Sequence, residues 1–288
     1  MSWLIIGTVP DEGFPLLEGS CEYSNGALSV NGDKITVARG TPALMATATL
    51  AAQTLGIDPP TVLIAGDIGK GTGSVKVYSH LLNTLRDRSE TLFVFHYLQP
   101  DLDWHNRIFL ELEELPEKPL LIADAGYMYV AKMSGLAPSY DLFTPDIGEL
   151  AFLADESAPH PFYTRGFLLQ DESEAEELIK RAYEQENAAR HLLVKGRCDH
   201  VASSEGILAS ICEPCIENME PIGGTGDILT GLVAALIQSN MSIPDAAAIA
   251  AKANRLLGLF ANPTPAFSVA ELLPYLPRAL EKAFIDKA

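Results

Sequence analysis

Five short apolar segments, Val62–Ala65, Leu92–Phe95, Leu120–Ala123, Asp141–Thr144 and Leu192–Lys195, are separated by stretches with helical periodicity, and this alternation constrains the fold more than any other feature of the chain. Strands that alternate with helices are joined by crossovers and run parallel, which implies an α/β layered sheet. Ahead of them lie the apolar runs Leu4–Thr8, Ala27–Val30 and Ile35–Ala38, with Asn25-Gly26 and Asn31-Gly32 as tight-turn signals. Asn-Gly supplies the positive φ angles of a hairpin, so residues 1–33 are expected to form a small β-meander at the entrance to the fold. The 288 residues allow one or two domains by length alone.

Helix signals can be placed individually. Thr41 is expected to cap a helix with Pro42 at its first position and Leu44, Ala48, Ala51 and Leu55 on one face. Ser173 with Glu176 reads as a capping box for an acidic helix reaching about Asn187, and Ser268 with Glu271 as a second box near the end, limited by Pro274 and Pro277. Gly226–Ser239 is nearly continuous apolar sequence, expected as an interior helix, and Ile243–Ala261 is alanine-rich and periodic. Glu156–Thr164, with Pro159 and Pro161, reads as an irregular excursion.

Charge and cysteine usage narrow the partners. Twenty Lys and Arg against 38 Asp and Glu give a net charge of −18, a field that repels phosphate backbones and anionic lipid, so neither nucleic acid nor a membrane is an expected partner. No stretch approaches eighteen apolar residues, and Met1–Gly7 lacks the basic start of a signal peptide. Four cysteines, Cys21, Cys198, Cys212 and Cys215, are too few for a disulfide framework. A cytoplasmic protein is expected. Cys212 and Cys215 have the spacing of a metal knuckle, but a second such pair is missing, which argues against zinc.

The strongest chemical signal is Ile222–Gly231, in which Gly223, Gly224, Thr225, Gly226 and Asp227 precede the apolar run Leu232–Ile237. Glycines let the backbone approach a ligand closely, and the free N–H groups at a helix start make a phosphate site. Asp227 beside those phosphates can take a proton from a substrate hydroxyl whose attack forms the new P–O bond. Its alternative role as a plain helix cap would not call for three glycines as well. Lys195 ends a strand, where ligands of open α/β sheets bind, and is placed to meet a nucleotide phosphate. Glu149, in the segment Leu142–Glu149, can reach a Mg²⁺ ion through water, or merely complement a helix dipole. The glycine loop Gly66–Gly73 fails the phosphate-loop spacing, because Ile64 and Gly71 stand where a Gly and a Ser or Thr are needed. It is read as a mobile loop bordering a pocket.

With these residues assembled, the chain resembles the ribokinase-like superfamily, and within it the NAD(P)H-hydrate dehydratases, over most of residues 32–260. Gly32–Pro42 is similar to that family's first strand and loop, Ala65–Gly69 to its next glycine loop, and Val194-Lys195-Gly196 to its nucleotide-contacting Lys-Gly. Gly223–Asp227 matches the family motif without change. The resemblance implies a single ribokinase-like domain over residues 1–288, a three-layer α/β/α sandwich with a mostly parallel central sheet. It also implies an enzyme that uses ATP or ADP, with Mg²⁺, to phosphorylate the hydroxyl of hydrated NADH or NADPH and then loses phosphate. By carry-over Asp227 is the catalytic base, and Lys195, Gly196, Gly224, Thr225 and Gly226 bind the nucleotide. Gly69, Asp124 and Asp146 would line the substrate, and Glu149 would serve the metal. Partners would be a small-molecule substrate and a nucleotide, with a homo-oligomer left open.

Two departures bear on the acceptor. The family's Thr-Pro-His-Pro-Gly-Glu reads Thr144-Pro145-Asp146-Ile147-Gly148-Glu149 here, so a carboxylate replaces an imidazole beside a dianionic dinucleotide. The family's Asp-Ala-Asp reads Asp124-Ala125-Gly126. A kinase of another hydroxylated molecule, a sugar or vitamin precursor, is therefore an alternative, and a non-catalytic nucleotide-binding protein, which would not need Asp227, is a third.

Overall fold

The computed structural model describes residues 2–155 and 174–287. The expected excursion at Glu156–Thr164 and the Ser173 cap lie outside the described residues. Among the described residues the strands are β1 (Trp3–Val9), β2 (Leu17–Ser24), β3 (Ala27–Val30), β4 (Asp33–Ile35), β5 (Thr61–Gly66), β6 (Leu92–His96), β7 (Leu120–Ala123), β8 (Leu142–Phe143), β9 (His191–Val194), β10 (Asp199–Ser203) and β11 (Gly206–Ile211). They form a continuous sheet in the order β11-β10-β9-β8-β7-β6-β1-β5-β2-β3-β4. The run from β5 through β1 to β9 is parallel, while β10 and β11 at one edge and β2 to β4 at the other are antiparallel.

The helices are α1 (Thr41–Leu55), α2 (Thr72–Thr84), α3 (Leu102–Glu113), α4 (Gly126–Met133), α5 (Ile147–Ala154), α6 (Ala175–Glu184), α7 (Thr225–Gln238), α8 (Ile243–Ala261), α9 (Val269–Leu272) and α10 (Leu276–Lys287). Because side chains alternate along a strand, each central strand feeds two cores. Trp3, Ile5, Val62, Ile64, Val94 and Ile122 pack with α1, α7, α8 and α10 on one face. Leu4, Ile6, Leu63, Phe93, Phe95 and Leu121 pack with α2 to α6 on the other. The expected α/β/α layering is thus present.

The structure corrects the reading of residues 1–33. Trp3–Val9 is buried at all seven positions and pairs in parallel with both β5 and β6, so it is a central strand and not part of a meander. Only β2, β3 and β4 form the meander, with the two Asn-Gly pairs at its turns, where all four residues have positive φ. Thr41 is also displaced from its expected role. Gly40 is the N-cap of α1, Thr41 is the first helical residue, and its hydroxyl points to His96. The box of Ser268 and Glu271 is formed and its helix α9 ends at Leu272, before Pro274, but Pro277 lies in the first turn of a further helix, α10, and does not limit it.

Helix α7 occupies the interior as expected, with every residue from Asp227 to Gln238 buried. Its close approach to α1 depends on Gly231, where a Cβ would stand 2.6 Å from the Leu44 carbonyl oxygen. The turn before it depends on Gly224, at φ 103°, where a side chain would also meet Val269 at 2.6 Å.

Candidate functional site

The parallel strands β6, β7, β8 and β9 all end on one edge of the sheet, and α7 begins beside them. His96 closes β6, Asp124 follows β7, Thr144 follows β8 and Lys195 follows β9. Long-range hydrogen bonds join these residues to α7 in two linked chains.

In the first, Asp227 lies in the first turn of α7, yet no side chain caps that helix. Its carboxylate reaches away: Oδ2 accepts the Gly40 N–H at 2.6 Å, and Oδ1 pairs with His96 Nε2 at 3.1 Å. A carboxylate can only accept while ionised, so Nε2 carries a proton, and the Thr41 hydroxyl is hydrogen-bonded to His96 Nδ1 at 3.0 Å. Burial pushes the Asp227 carboxyl up, but the hydrogen bond and charge of His96, with Lys195 and Gly40, outweigh it and hold the group below the usual aspartate range.

The second chain centres on Asp124, which is 2% exposed. Lys195 Nζ donates to both of its oxygens, at 2.9 and 3.0 Å, and the Thr230 hydroxyl donates to Oδ2 at 2.6 Å. Since Thr230 has one proton and gives it to Asp124, Thr144 donates to Thr230 across 3.1 Å. His96 Nε2 lies 3.7 Å from Asp124 Oδ2 and so links the chains. Burial works against the Lys195 charge, but Asp124 and Glu149 outweigh it and hold the ammonium above its ordinary pKa. The Lys195 stem lies against Gly226, where a Cβ would come within 3.3 Å of it. The start of α7 thus lies beside the Lys195 cation, and unpaired N–H groups next to a cation are the arrangement that attracts an anion.

Two residues beside these chains have left-handed backbone. Ala125, immediately after Asp124, has φ 50°, as does Tyr97, immediately after His96. Such strain outside glycine persists only where surrounding structure enforces it, and it recurs at functional sites. The Tyr97 ring is half-exposed, stands edge-on to His96 at 4.6 Å between centroids, and has its hydroxyl pushed up to about 12 by burial and by Asp227, Asp124 and Glu149.

The remaining expected residues are distributed unevenly. Gly224, Thr225 and Gly226 form the start of α7, next to Asp227. Asp146 and Glu149 form a reciprocal capping box on α5. Glu149 accepts the Tyr129 hydroxyl at 3.0 Å and the Asp146 N–H at 2.9 Å, and burial together with Asp146 pushes its carboxyl up to about 8. The Gly196 N–H is already taken by Asp199 Oδ1 at 3.1 Å, and its carbonyl accepts from Arg255 at 2.9 Å.

Gly69 is not joined to either chain. Its N–H, with those of Lys70 and Gly71, donates to Asp67 Oδ1, while Ser74 binds Oδ2. The glycine loop therefore wraps an internal carboxylate, in contrast to the mobile loop expected, although it does border a cavity of about 280 Å³ lined by Lys70, Gly71, Tyr78 and Gln99. The cysteines also depart from expectation. Cys212 is bonded to Cys198, a disulfide that the low cysteine number did not suggest, and Cys215 is free and exposed.

Sequence reasoning missed His96, Thr230, Tyr97 and Gly40. His96 was within reach of the strand-end rule applied to Lys195, had the segment Leu92–Phe95 been extended by one residue.

Comparison with known proteins places this geometry. The fold matches ribokinase-like proteins: a superfamily member from Enterococcus faecalis, with TM-score 0.60 and 14% identity over 98% of this chain and 87% of that one. It also matches phosphofructokinase-2 of Escherichia coli in complex with fructose-6-phosphate, with TM-score 0.57 and 11% identity over 97% and 99%. At these identities the likeness is one of fold, and it makes the chain a ribokinase-like α/β protein. The model of the NAD(P)H-hydrate dehydratase family matches residues 100–278, and the chain belongs to that family. An uncharacterized protein of Methanocaldococcus jannaschii is 40% identical over 221 residues, covering 76% of this chain and 90% of that protein. The bifunctional NAD(P)H-hydrate repair enzyme Nnr of Pyrobaculum aerophilum is 29% identical over 143 residues, which span 49% of this chain and only 26% of that enzyme.

Proposed function

We propose that the protein transfers a phosphoryl group from ATP or ADP to a hydroxyl of a small molecule, and that hydrated NADH or NADPH is the acceptor. The observation that carries this reading is the Asp227 carboxylate, ionised and turned away from the uncapped N-terminus of its own helix. In the transfer, Asp227 takes the hydroxyl proton, the freed oxygen forms a bond to the terminal phosphorus, and the bond from phosphorus to the nucleotide breaks with its electron pair leaving on the nucleotide. The N–H groups of Thr225 and Gly226 and the Lys195 ammonium hold the charge on the transferred group. In a dehydratase the C–O bond of the new ester then breaks with its electron pair leaving on inorganic phosphate, and loss of a proton from the adjacent ring carbon restores the nicotinamide ring.

Glu149 fits a Mg²⁺ ion by donor type, since that ion takes carboxylate oxygens and keeps its waters. Burial and then the neighbouring carboxylates Asp146 and Asp124 raise the Glu149 pKa, and the repulsion among these carboxylates is what a dication would relieve. Bound there with the nucleotide, the ion would neutralise phosphate charge.

Membership of the dehydratase family supports hydrated NADH or NADPH as acceptor. The second reading, a kinase of another hydroxylated molecule, draws on Asp146, an exposed carboxylate on the site's edge where the family has histidine. The deciding experiment adds Mg²⁺ and ATP or ADP to hydrated NADH and follows the return of nicotinamide absorbance, with Asp227→Asn as control. Recovery that needs nucleotide, and that falls by about 100-fold or more in the variant, is expected. No recovery by protein that binds nucleotide would transfer the assignment to the kinase reading.

A further inference from the structure

His96 is completely buried, and both ring nitrogens are bonded, Nδ1 to Thr41 and Nε2 to Asp227. Nothing in the phosphoryl-transfer reading requires it. Its significance lies in where Asp227 would otherwise go. A carboxylate in the first turn of a helix is drawn to that helix's own unpaired N–H groups by hydrogen bonding and by the dipole. In α7 those same N–H groups are the phosphate site. An Asp227 side chain left to itself would fold back, fill the site with its own negative charge, and repel the nucleotide.

Two donors from other elements prevent this, the Gly40 N–H at the start of α1 and His96 Nε2 at the end of β6, 187 and 131 residues away in sequence. The ring is itself locked by Thr41 on one side and by the Tyr97 ring standing edge-on to it. The other charged groups facing this region are Asp124 from β7, Lys195 from β9, and Arg39, which packs on Gly223 and Gly224. None of these donates a hydrogen bond to Oδ1 among the described contacts, so His96 alone sets that oxygen's direction.

We propose that His96 is a positioning residue: it holds the Asp227 carboxylate toward Gly40 and off the N-terminus of α7, so that a base and a phosphate site can coexist on one helix end. The inference rests on the reading of that helix end as the transfer site, and its test separates the two. The Gly40 amide proton, hydrogen-bonded to Asp227 Oδ2, reports the carboxylate's place in ligand-free protein by NMR. It is expected to move upfield in His96→Leu, as is also expected in Asp227→Ala, and to stay near its wild-type position in His96→Gln, whose amide can still donate.

Titration of ATP with Mg²⁺ by calorimetry provides the second readout. His96→Leu should weaken ATP binding about tenfold, and adding Asp227→Ala to it should restore affinity, because the competing carboxylate is gone. With a working assay, kcat should fall about 100-fold in His96→Leu and recover largely in His96→Gln. A folded His96→Leu protein with an unmoved Gly40 amide, or an affinity loss that Asp227→Ala does not relieve, overturns the proposal. Wild-type protein that binds neither ATP nor ADP would overturn the transfer reading instead, while the Gly40 amide would still decide the role of His96.

Discussion

At the scale of single residues, the site is a balance between buried charges that need one another. Asp124 accepts from Lys195, Thr230 and the Ala125 N–H, and it has almost no access to water. Removing the cation from such a pair leaves an uncompensated charge, which costs more than the pair's own net worth. Lys195→Ala should therefore do two things: weaken nucleotide binding and lower stability by about 3 kcal/mol, read from denaturant midpoints. Adding Asp124→Asn should restore much of the stability but not the affinity, since the neutral amide needs no partner cation while the nucleotide still lacks one. A Lys195→Ala protein of undiminished stability would show that Asp124 finds another partner. Of this pair the strand-end pattern reveals Lys195, and the family resemblance brings in Asp124. That the two are ion-paired depends on the spacing of β7 and β9 across β8, which no local pattern carries.

At the scale of elements, two devices hold loops in place. The turn from β5 into α2 is built round Asp67, which accepts three consecutive backbone N–H groups and both donors of Ser74. Burial alone would push its carboxyl up, but these hydrogen bonds prevail and hold it below the ordinary aspartate value. A depressed carboxyl stabilises the fold above the unfolded-state pKa and stops doing so as pH falls through the folded-state value. Asp67→Asn should accordingly lower Tm at neutral pH, and the gap to wild type should narrow as pH drops below the usual aspartate range. A gap that is constant with pH would mean that packing, and not the carboxylate, supports the turn. The second device is at the other edge, where β10 and β11 pair with Asp199 opposite Ile211 and bring Cys198 to Cys212. Arg255 braces the same corner, binding Asp199, the Cys212 carbonyl and the Gly196 carbonyl at 2.9 Å each. Closing a loop of this length is worth about 3 kcal/mol in the chain-entropy account, so Cys198→Ser with Cys212→Ser should shift the unfolding midpoint by that order, and a reductant should mimic it. The pairing was hidden because β10 and β11 lack the apolar runs that mark buried strands; their alternating exposure is that of a sheet edge.

At the scale of the whole molecule, periodicity revealed the parallel core from β5 to β9 and the long helices α7 and α8, because those elements are buried wherever they lie. It did not place β1, whose apolar run differs little from the hairpin strands beside it. Its central position comes from pairing with Thr61–Gly66 and Leu92–His96, far along the chain. Net charge, by contrast, is fully legible and has a consequence for ligand binding. A molecule of −18 repels free nucleotide at long range, and the site's own Asp124, Asp146 and Asp227 outnumber its one lysine. Binding of ATP should therefore need Mg²⁺, with affinity falling about tenfold or more when EDTA is present. In EDTA, raising NaCl should strengthen the residual binding, because screening weakens the repulsion over distances beyond about 10 Å at 0.1 M salt. With Mg²⁺ the dependence should flatten, since the ligand then carries two fewer negative charges. Salt that weakens binding in EDTA would show that Lys195 and the start of α7 dominate the field of the whole protein at the range where nucleotide is captured.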